Sequence, residues 1–275
     1  MLCSINGEFT DRLPVTDRGL AYGDGVFETM RMSGGLLPLW DYHQRRLQLG
    51  CDRLAIPLQN SELEHWLRDF LGRASRLGAE GVVKLIVTRG QSQRGYGFDA
   101  NTPPTVVLQR LNSVVLSSAP QSLDFCVHRL PQNPLLAGIK HLNRLDNVML
   151  KHECQIRGVD DGVVLDSAEN VIETTHSNLF FLSGNQLLTP DLAGCGVAGV
   201  MREFILQEIA PALFEEVAVT TIPATELGGY DAAFSCNSIR GIRAIDRIGS
   251  MVFNDSPLLQ ALLQKLTQSR FGRGV

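Results

Sequence analysis

Apolar and polar positions alternate along the first part of the chain and then give way to helical spacing. Residues 2–6 and Glu8-Phe9 read as short strands folded about Gly7, a residue able to adopt the positive φ of a hairpin turn. Residues 24–32 alternate again and end in Ser33-Gly34-Gly35. From Asp41 to about Leu54 the spacing is helical, with Tyr42, Leu47 and Leu54 as candidate core. Ser61, with Glu64 three residues on, predicts the cap of a second helix, whose Leu63, Trp66, Leu67 and Phe70 recur at helical intervals. Residues 82–87 and 105–111 are β-rich and bracket a loop bearing glycine and arginine, Arg89-Gly90-Gln91-Ser92-Gln93-Arg94-Gly95-Tyr96-Gly97.

Residues 117–122, Ser-Ser-Ala-Pro-Gln-Ser, are small and polar and are expected to link two domains, 1–116 and 123–275. Beyond them the pattern predicts a strand over 123–130 and a helix over about 143–157, with Leu145, Met149, His152 and Ile156 on one face. Short strands follow at 162–165, 171–173, 179–182 and 186–189, then a helix from Gly199 to about Ala210. A strand at 231–235 and an amphipathic helix from Pro257 complete the chain. The expected fold is mixed α/β (α+β), with two subdomains and a ligand cleft.

Composition narrows the function classes. The chain has 275 residues, 44% of them hydrophobic, enough for a substantial core. Its net charge of -4 argues against nucleic acid or an anionic membrane as the main partner. Six scattered cysteines without a CxxC spacing point to buried thiols in a reducing compartment, not to a metal site or a disulfide framework. The first residues lack a signal pattern, and no apolar run approaches the roughly 20 residues that cross a bilayer. A cytoplasmic protein is expected.

Only four lysines occur: Lys84, Lys140, Lys151 and Lys265. Lys140 follows the apolar, glycine-bearing Leu135-Leu136-Ala137-Gly138-Ile139 and stands just before a helix. A desolvated amine there would lose its proton readily and become a nucleophile toward carbonyls, although a lysine simply ending a strand fits too. Gly194-Cys195-Gly196-Val197-Ala198-Gly199-Val200-Met201-Arg202 is a glycine-rich turn entering a helix, a place suited to phosphate. Asn237-Ser238 could add polar donors, and Arg45 or Arg46 a cation; the alternative for either arginine is a solvated helix face. Glu173 stands among short polar residues between apolar strands. A buried carboxylate needs a partner such as a protonated ring nitrogen, and a loop-ordering role is the alternative.

Five segments in order, Tyr22-Gly23-Asp24-Gly25-Val26-Phe27-Glu28, His43-x-x-Arg46-Leu47, Lys140-His141-Leu142-Asn143, residues 173–180 and Gly199-Val200-Met201-Arg202, span nearly the whole chain. Together they resemble the branched-chain and D-amino-acid aminotransferase group, the fold-type IV pyridoxal-phosphate enzymes. The resemblance implies pyridoxal 5'-phosphate held covalently on Lys140, with Glu173 on its pyridine nitrogen. It implies phosphate contacts from Arg46, from the backbone of Val200 and Met201, and from Asn237 and Ser238, which stand where the family has Gly-Thr. It also implies a homodimer.

Within the group, Ala137-Gly138-Ile139-Lys140-His141-Leu142-Asn143-Arg144-Leu145, the Arg89–Tyr96 loop and Thr29 are similar to the aminodeoxychorismate lyase branch. That likeness implies conversion of 4-amino-4-deoxychorismate to 4-aminobenzoate and pyruvate. Lys140 and Thr29 would be catalytic, and Arg94 and Tyr96 would bind substrate carboxylate. His176 would order the loop after Glu173. An aminotransferase of the same fold, or a non-catalytic scaffold that kept it, are the competing readings.

Overall fold

The chain is described by a computed structural model covering residues 2–92, 95–269 and 271. It divides into two compact units, one of residues 2–115 with Ile139–Asn143, the other of residues 116–138 with 144–271.

The first unit contains β1 (Cys3–Ile5), α1 (Arg18–Tyr22), β2 (Gly25–Met32), α2 (Trp40–Arg53), α3 (Asn60–Ala74), β3 (Gly81–Thr88) and β4 (Thr105–Leu111). Its four strands pair antiparallel in the order β1-β4-β3-β2. The period of two in a strand decides what each face of β2 does. Val26, Met30 and Met32 are buried in a core with Leu47 of α2, Leu63, Leu67 and Phe70 of α3, and Val83, Leu85 and Leu108 of the sheet. Phe27, Thr29 and Arg31 alternate with them and are only half-buried. Each fully buried side chain of this size contributes about 1.5–3 kcal/mol, so this layer fixes β2 firmly.

Helix α3 starts one residue before the expected cap. Gln59 occupies the cap position without a side-chain bond, and Glu64 instead accepts from Gln44 Nε2 at 2.9 Å. Helix α1 was not expected, because five residues carry no apolar repeat. Its N-cap Asp17 accepts from the Gly19 N–H at 2.8 Å, and Gly23, at φ 63°, closes it in the left-handed conformation.

The segment Ile139–Asn143 packs with this first unit, not with the C-terminal domain in which Lys140 was expected. The reason is pairing. Strand β2 lies at the edge of its sheet, the Phe27 N–H donates to the Lys140 carbonyl at 2.9 Å, and the Leu142 N–H donates to the Gly25 carbonyl at 2.9 Å.

The second unit contains β5 (Gln121–Phe125), α4 (Leu145–Ile156), β6 (Gly162–Leu165), β7 (Val171–Thr174), β8 (Asn178–Ser183), β9 (Gln186–Pro190), α5 (Val200–Phe204), β10 (Glu216–Thr220), β11 (Ala232–Asn237), β12 (Gly241–Ile248), β13 (Met251–Val252) and α6 (Pro257–Gln268). The strands follow the order β10-β9-β8-β11-β12-β5-β6-β7, and β7 pairs back onto β8, so six of them form a closed ring. The core includes Leu123, Val163, Val171, Leu179, Phe181, Ala233 and Ile245.

Strand β5 ends at Phe125, short of the expected 130, and begins at Gln121 inside the expected linker, where Gln121 is the partner of Ile245. In α4 the buried side chains are Leu150 and Cys154, and the expected face is turned outward: Leu145, Met149, His152 and Ile156 are all exposed, as is Val148. The helix expected from Gly199 to Ala210 is α-helical only to Phe204, after which Ile205–Ile209 form a π turn.

Candidate active site

In the first unit the residues of interest gather about β2. Lys140 Nζ lies 4.6 Å from the centroid of the Phe27 ring, and Lys84 Nζ lies 5.5 Å from the same centroid. Both are within the range at which a ring attracts a cation. Lys84 is the direct register partner of Thr29 across β2 and β3. Thus Lys140 and Lys84 both approach one phenyl ring, and Thr29 stands opposite Lys84 in the strand register. Sequence reasoning singled out two of them and passed over Lys84, because the β2–β3 register that pairs it with Thr29 is not written in either strand alone.

The core face of β2 carries one exception to its apolar pattern, Glu28, which is fully buried. Two α2 side chains three residues apart meet it. Arg46 donates through Nε to Oε1 at 2.8 Å and through Nη2 to Oε2 at 2.5 Å. The His43 Nδ1–H donates to Oε2 at 2.6 Å. Burial pushes the Glu28 carboxyl up, but the Arg46 guanidinium and His43 outweigh it and hold the pKa at about 2. Burial lowers the His43 pKa despite the adjacent carboxylate, so the imidazole is neutral at pH 7. Glu28 therefore fixes the orientation of Arg46, whose Nη1 lies outside this pair. Glu28 belongs to a quoted segment, yet its partnership was missed. The available signal was a lone carboxylate on an apolar strand face and a cation pair at helical spacing.

The loop after β3 holds Tyr96, which is 86% exposed and whose ring lies 5.5 Å from that of Tyr22. Arg94 lies outside the described residues.

In the second unit Glu173 is the penultimate residue of β7 and is buried. Its Oε2 accepts from the Val197 N–H at 3.1 Å. Asn178, its partner across β7 and β8, donates from Nδ2 to the Val197 carbonyl at 2.9 Å. The Val197 turn leads into Gly199, the N-cap of α5, which supplies no side-chain acceptor to the first-turn N–H groups that include Val200 and Met201. A Cβ on Gly199 would lie 1.9 Å from Asn178 Oδ1, so only glycine lets the backbone run this close. At Gly196, φ is 86° and a Cβ would meet Ile172 Cγ2 at 2.7 Å.

Asn237 Nδ2 donates to Ser177 Oγ at 3.0 Å, while its Oδ1 accepts from the N–H groups of Ile239 and Arg240 at 3.0 and 2.8 Å. Asn237 thus ties the β11–β12 turn that carries Ser238 to the turn after Glu173. Beneath that turn lies Asp161, itself buried, whose Oδ1 accepts from the Thr175 hydroxyl and N–H at 2.6 and 3.0 Å. His176 Nδ1 stands 3.3 Å from Asp161 Oδ2, in keeping with a loop-ordering role.

Comparison with known proteins matches residues 25–248 to the amino-transferase class IV family. The aminodeoxychorismate lyase of Vibrio harveyi is 32% identical over 250 residues, 90% of this chain and 91% of that one. The crystal structure of 4-amino-4-deoxychorismate lyase from Pseudomonas aeruginosa superposes with a TM-score of 0.89 at 38% identity, covering 97% of this chain and 98% of that one. A branched-chain aminotransferase from Thermoproteus uzoniensis, at 21% identity, shares the fold with a TM-score of 0.88 over 99% of this chain and 95% of that one. The chain belongs to the class IV aminotransferases, a family of pyridoxal-phosphate-dependent enzymes.

Proposed function

We propose that this enzyme is a lyase that converts 4-amino-4-deoxychorismate to 4-aminobenzoate and pyruvate. The observation that carries the reading is the grouping of Lys140 and Lys84 about Phe27, with Thr29 opposite Lys84. A candidate nucleophile, a hydroxyl and a second cation near one another support this reading, because the substrate carries two carboxylates and one amine. The 38% identity to the lyase from Pseudomonas aeruginosa over nearly the full chain supports it.

The donor set fits pyridoxal phosphate. A buried carboxylate, Glu173, suits a protonated ring nitrogen. The first turn of α5, whose N-cap Gly199 supplies no side-chain acceptor, suits a phosphate. Lys140 would anchor the cofactor, and Arg46, Val200, Met201, Asn237 and Ser238 would hold its phosphate. When bound, the cofactor supplies an electron sink for charge developing beside the substrate nitrogen.

The protein's own work is positioning and proton control. Lys140 Nζ takes the proton from the ring carbon bearing the amine. That proton, or one from a water beside Nζ, goes to the enolpyruvyl group as its C–O bond to the ring breaks. The Thr29 hydroxyl orients the Lys140 amine. Lys84 and Arg94 bind the substrate carboxylates, with the Tyr96 hydroxyl assisting. We further propose a homodimer in the cytoplasm, for which the exposed apolar face of α4 is the supporting feature.

An aminotransferase of the same family is the second reading, favoured by its shared cofactor residues. The cofactor's absorbance on mixing with D-alanine and, separately, with L-leucine separates the lyase from a D-amino-acid or branched-chain-type aminotransferase. A lyase leaves the spectrum of the lysine-bound form nearly unchanged, whereas an aminotransferase converts the cofactor to its amine form within one turnover.

A further inference from the structure

The loop after β3 is held by one side chain that no part of the reaction touches. Arg18 of α1 is 3% exposed. Its Nη1 donates to Ser92 Oγ at 3.0 Å and to the carbonyls of Gly95 and Gly97 at 3.0 and 3.3 Å, and its Nη2 donates to the Tyr96 carbonyl at 3.1 Å. Three carbonyls within three residues and one hydroxyl thus converge on one guanidinium.

That guanidinium is itself fixed. Its Nε donates to Asp24 Oδ2 at 2.8 Å. Asp24 is clamped from the other side by Arg89, through Nε at 2.8 Å and Nη2 at 3.0 Å. Arg89 in turn donates to the carbonyls of Leu54 and Ala55, at the end of α2, at 2.6 and 2.9 Å. A continuous chain of charge-assisted bonds therefore runs from the end of α2 through Asp24 to the loop.

Among the described residues of 95–98, the other contacts lie at the surface: the Tyr96 ring is 5.5 Å from that of Tyr22, and the Arg89 guanidinium stands 3.6 Å from the Phe98 ring centroid. Tyr96 is 86% exposed and Phe98 is exposed as well. A Cβ at Gly95 or Gly97 would meet nothing within 4 Å. A segment with exposed backbone and few apolar contacts opens locally at low cost unless it is tethered.

We propose that Arg18 is the positioning residue of this loop, and that by fixing the backbone that bears Tyr96 it sets how tightly a substrate carboxylate is held. The proposal rests on the lyase reading only for the identity of the substrate. Lysine cannot replace Arg18, because an ammonium has three donors on a single atom and cannot span four acceptors and Asp24 in one plane.

The test compares wild-type holoenzyme with Arg18→Lys and Ser92→Ala by amide hydrogen exchange over 95–98, by cofactor absorbance and by steady-state kinetics. In Arg18→Lys, exchange at 95–98 accelerates, KM rises about tenfold and kcat stays within about twofold, with unchanged cofactor absorbance. Ser92→Ala, which removes one of the four loop contacts and leaves Asp24 its partners, shifts exchange and KM in the same direction by less. Unchanged exchange in both variants overturns the proposal. So does a fall in kcat with KM unmoved. If the wild type makes no 4-aminobenzoate, the lyase reading fails by itself; KM is then taken for D-alanine, and the exchange data decide on Arg18 without any substrate.

Discussion

Glu28 and Arg46 form a buried bidentate pair between β2 and α2, Nε to Oε1 at 2.8 Å and Nη2 to Oε2 at 2.5 Å. The carboxylate sits on the one strand face that is otherwise apolar. It neutralises the arginine proposed for phosphate and holds its plane still. Removing one partner of a buried pair leaves an uncompensated charge, at a cost of about 3 kcal/mol. Glu28→Gln is therefore expected to lower stability by about that amount in urea unfolding and to weaken pyridoxal phosphate binding in an absorbance titration. Unchanged stability would mean that Arg46 needs no counter-charge.

Acid tests the same network. Burial raises the Glu28 pKa, but Arg46 and His43 hold it at about 2, below the ordinary 4.5. Burial holds His43 below its ordinary 6.5. A group whose folded pKa is depressed adds stability above its unfolded pKa and loses it as pH falls toward the folded one. Both groups thus act with the same sign. The urea midpoint should fall from pH 6.5 downward as unfolded His43 takes a proton that the folded form resists, and again between 4.5 and about 2 for Glu28. Glu28→Gln should flatten the lower limb, and a wild-type midpoint that rises on acidification would contradict the assignment.

Lys84 separates a carboxylate-binding role from a purely structural one. Lys84→Met keeps an unbranched side chain one atom shorter and removes its charge. KM for the substrate is expected to rise about tenfold with cofactor absorbance intact. A fall in cofactor loading with KM unchanged would place Lys84 in cofactor binding instead.

The apolar face of α4 bears on assembly. Leu145→Glu combined with Ile156→Glu charges two exposed positions, 72% and 74% accessible, and should leave the circular dichroism of the chain intact. In sedimentation, the double variant is expected to run as a monomer where the wild type runs as a dimer. Identical sedimentation would free this face from the interface.

Legibility in the sequence followed the length and regularity of each element. Strand β2 and helices α2 and α3 were readable because each presents one apolar face over several periods, and β3 and β4 because they are runs rich in β-branched residues. Helix α1 is too short for a period. Strand β12 was missed because Arg243, Asp246 and Arg247 interrupt its apolar pattern. The outward face of α4 was readable as a face, but which face a helix buries is decided by what packs on it, here β6 and its neighbours against Leu150 and Cys154.

The sequence pointed to candidate site residues where a local motif carries them, as at Lys140, Glu173, Arg46 and the Gly199 turn. It did not point to Lys84, Glu28 or Arg18, because their meaning lies in partners brought together from distant parts of the chain. Thr29 and Lys84 meet only through strand register. Arg18 meets Gly95 across 77 positions.

The most direct test of the lyase reading is turnover of enzymatically generated 4-amino-4-deoxychorismate, with 4-aminobenzoate and pyruvate quantified together in wild type and in Lys140→Ala. The account predicts the two products in equal amounts from the wild type and neither from the variant. A yellow wild-type protein that releases no 4-aminobenzoate would contradict it.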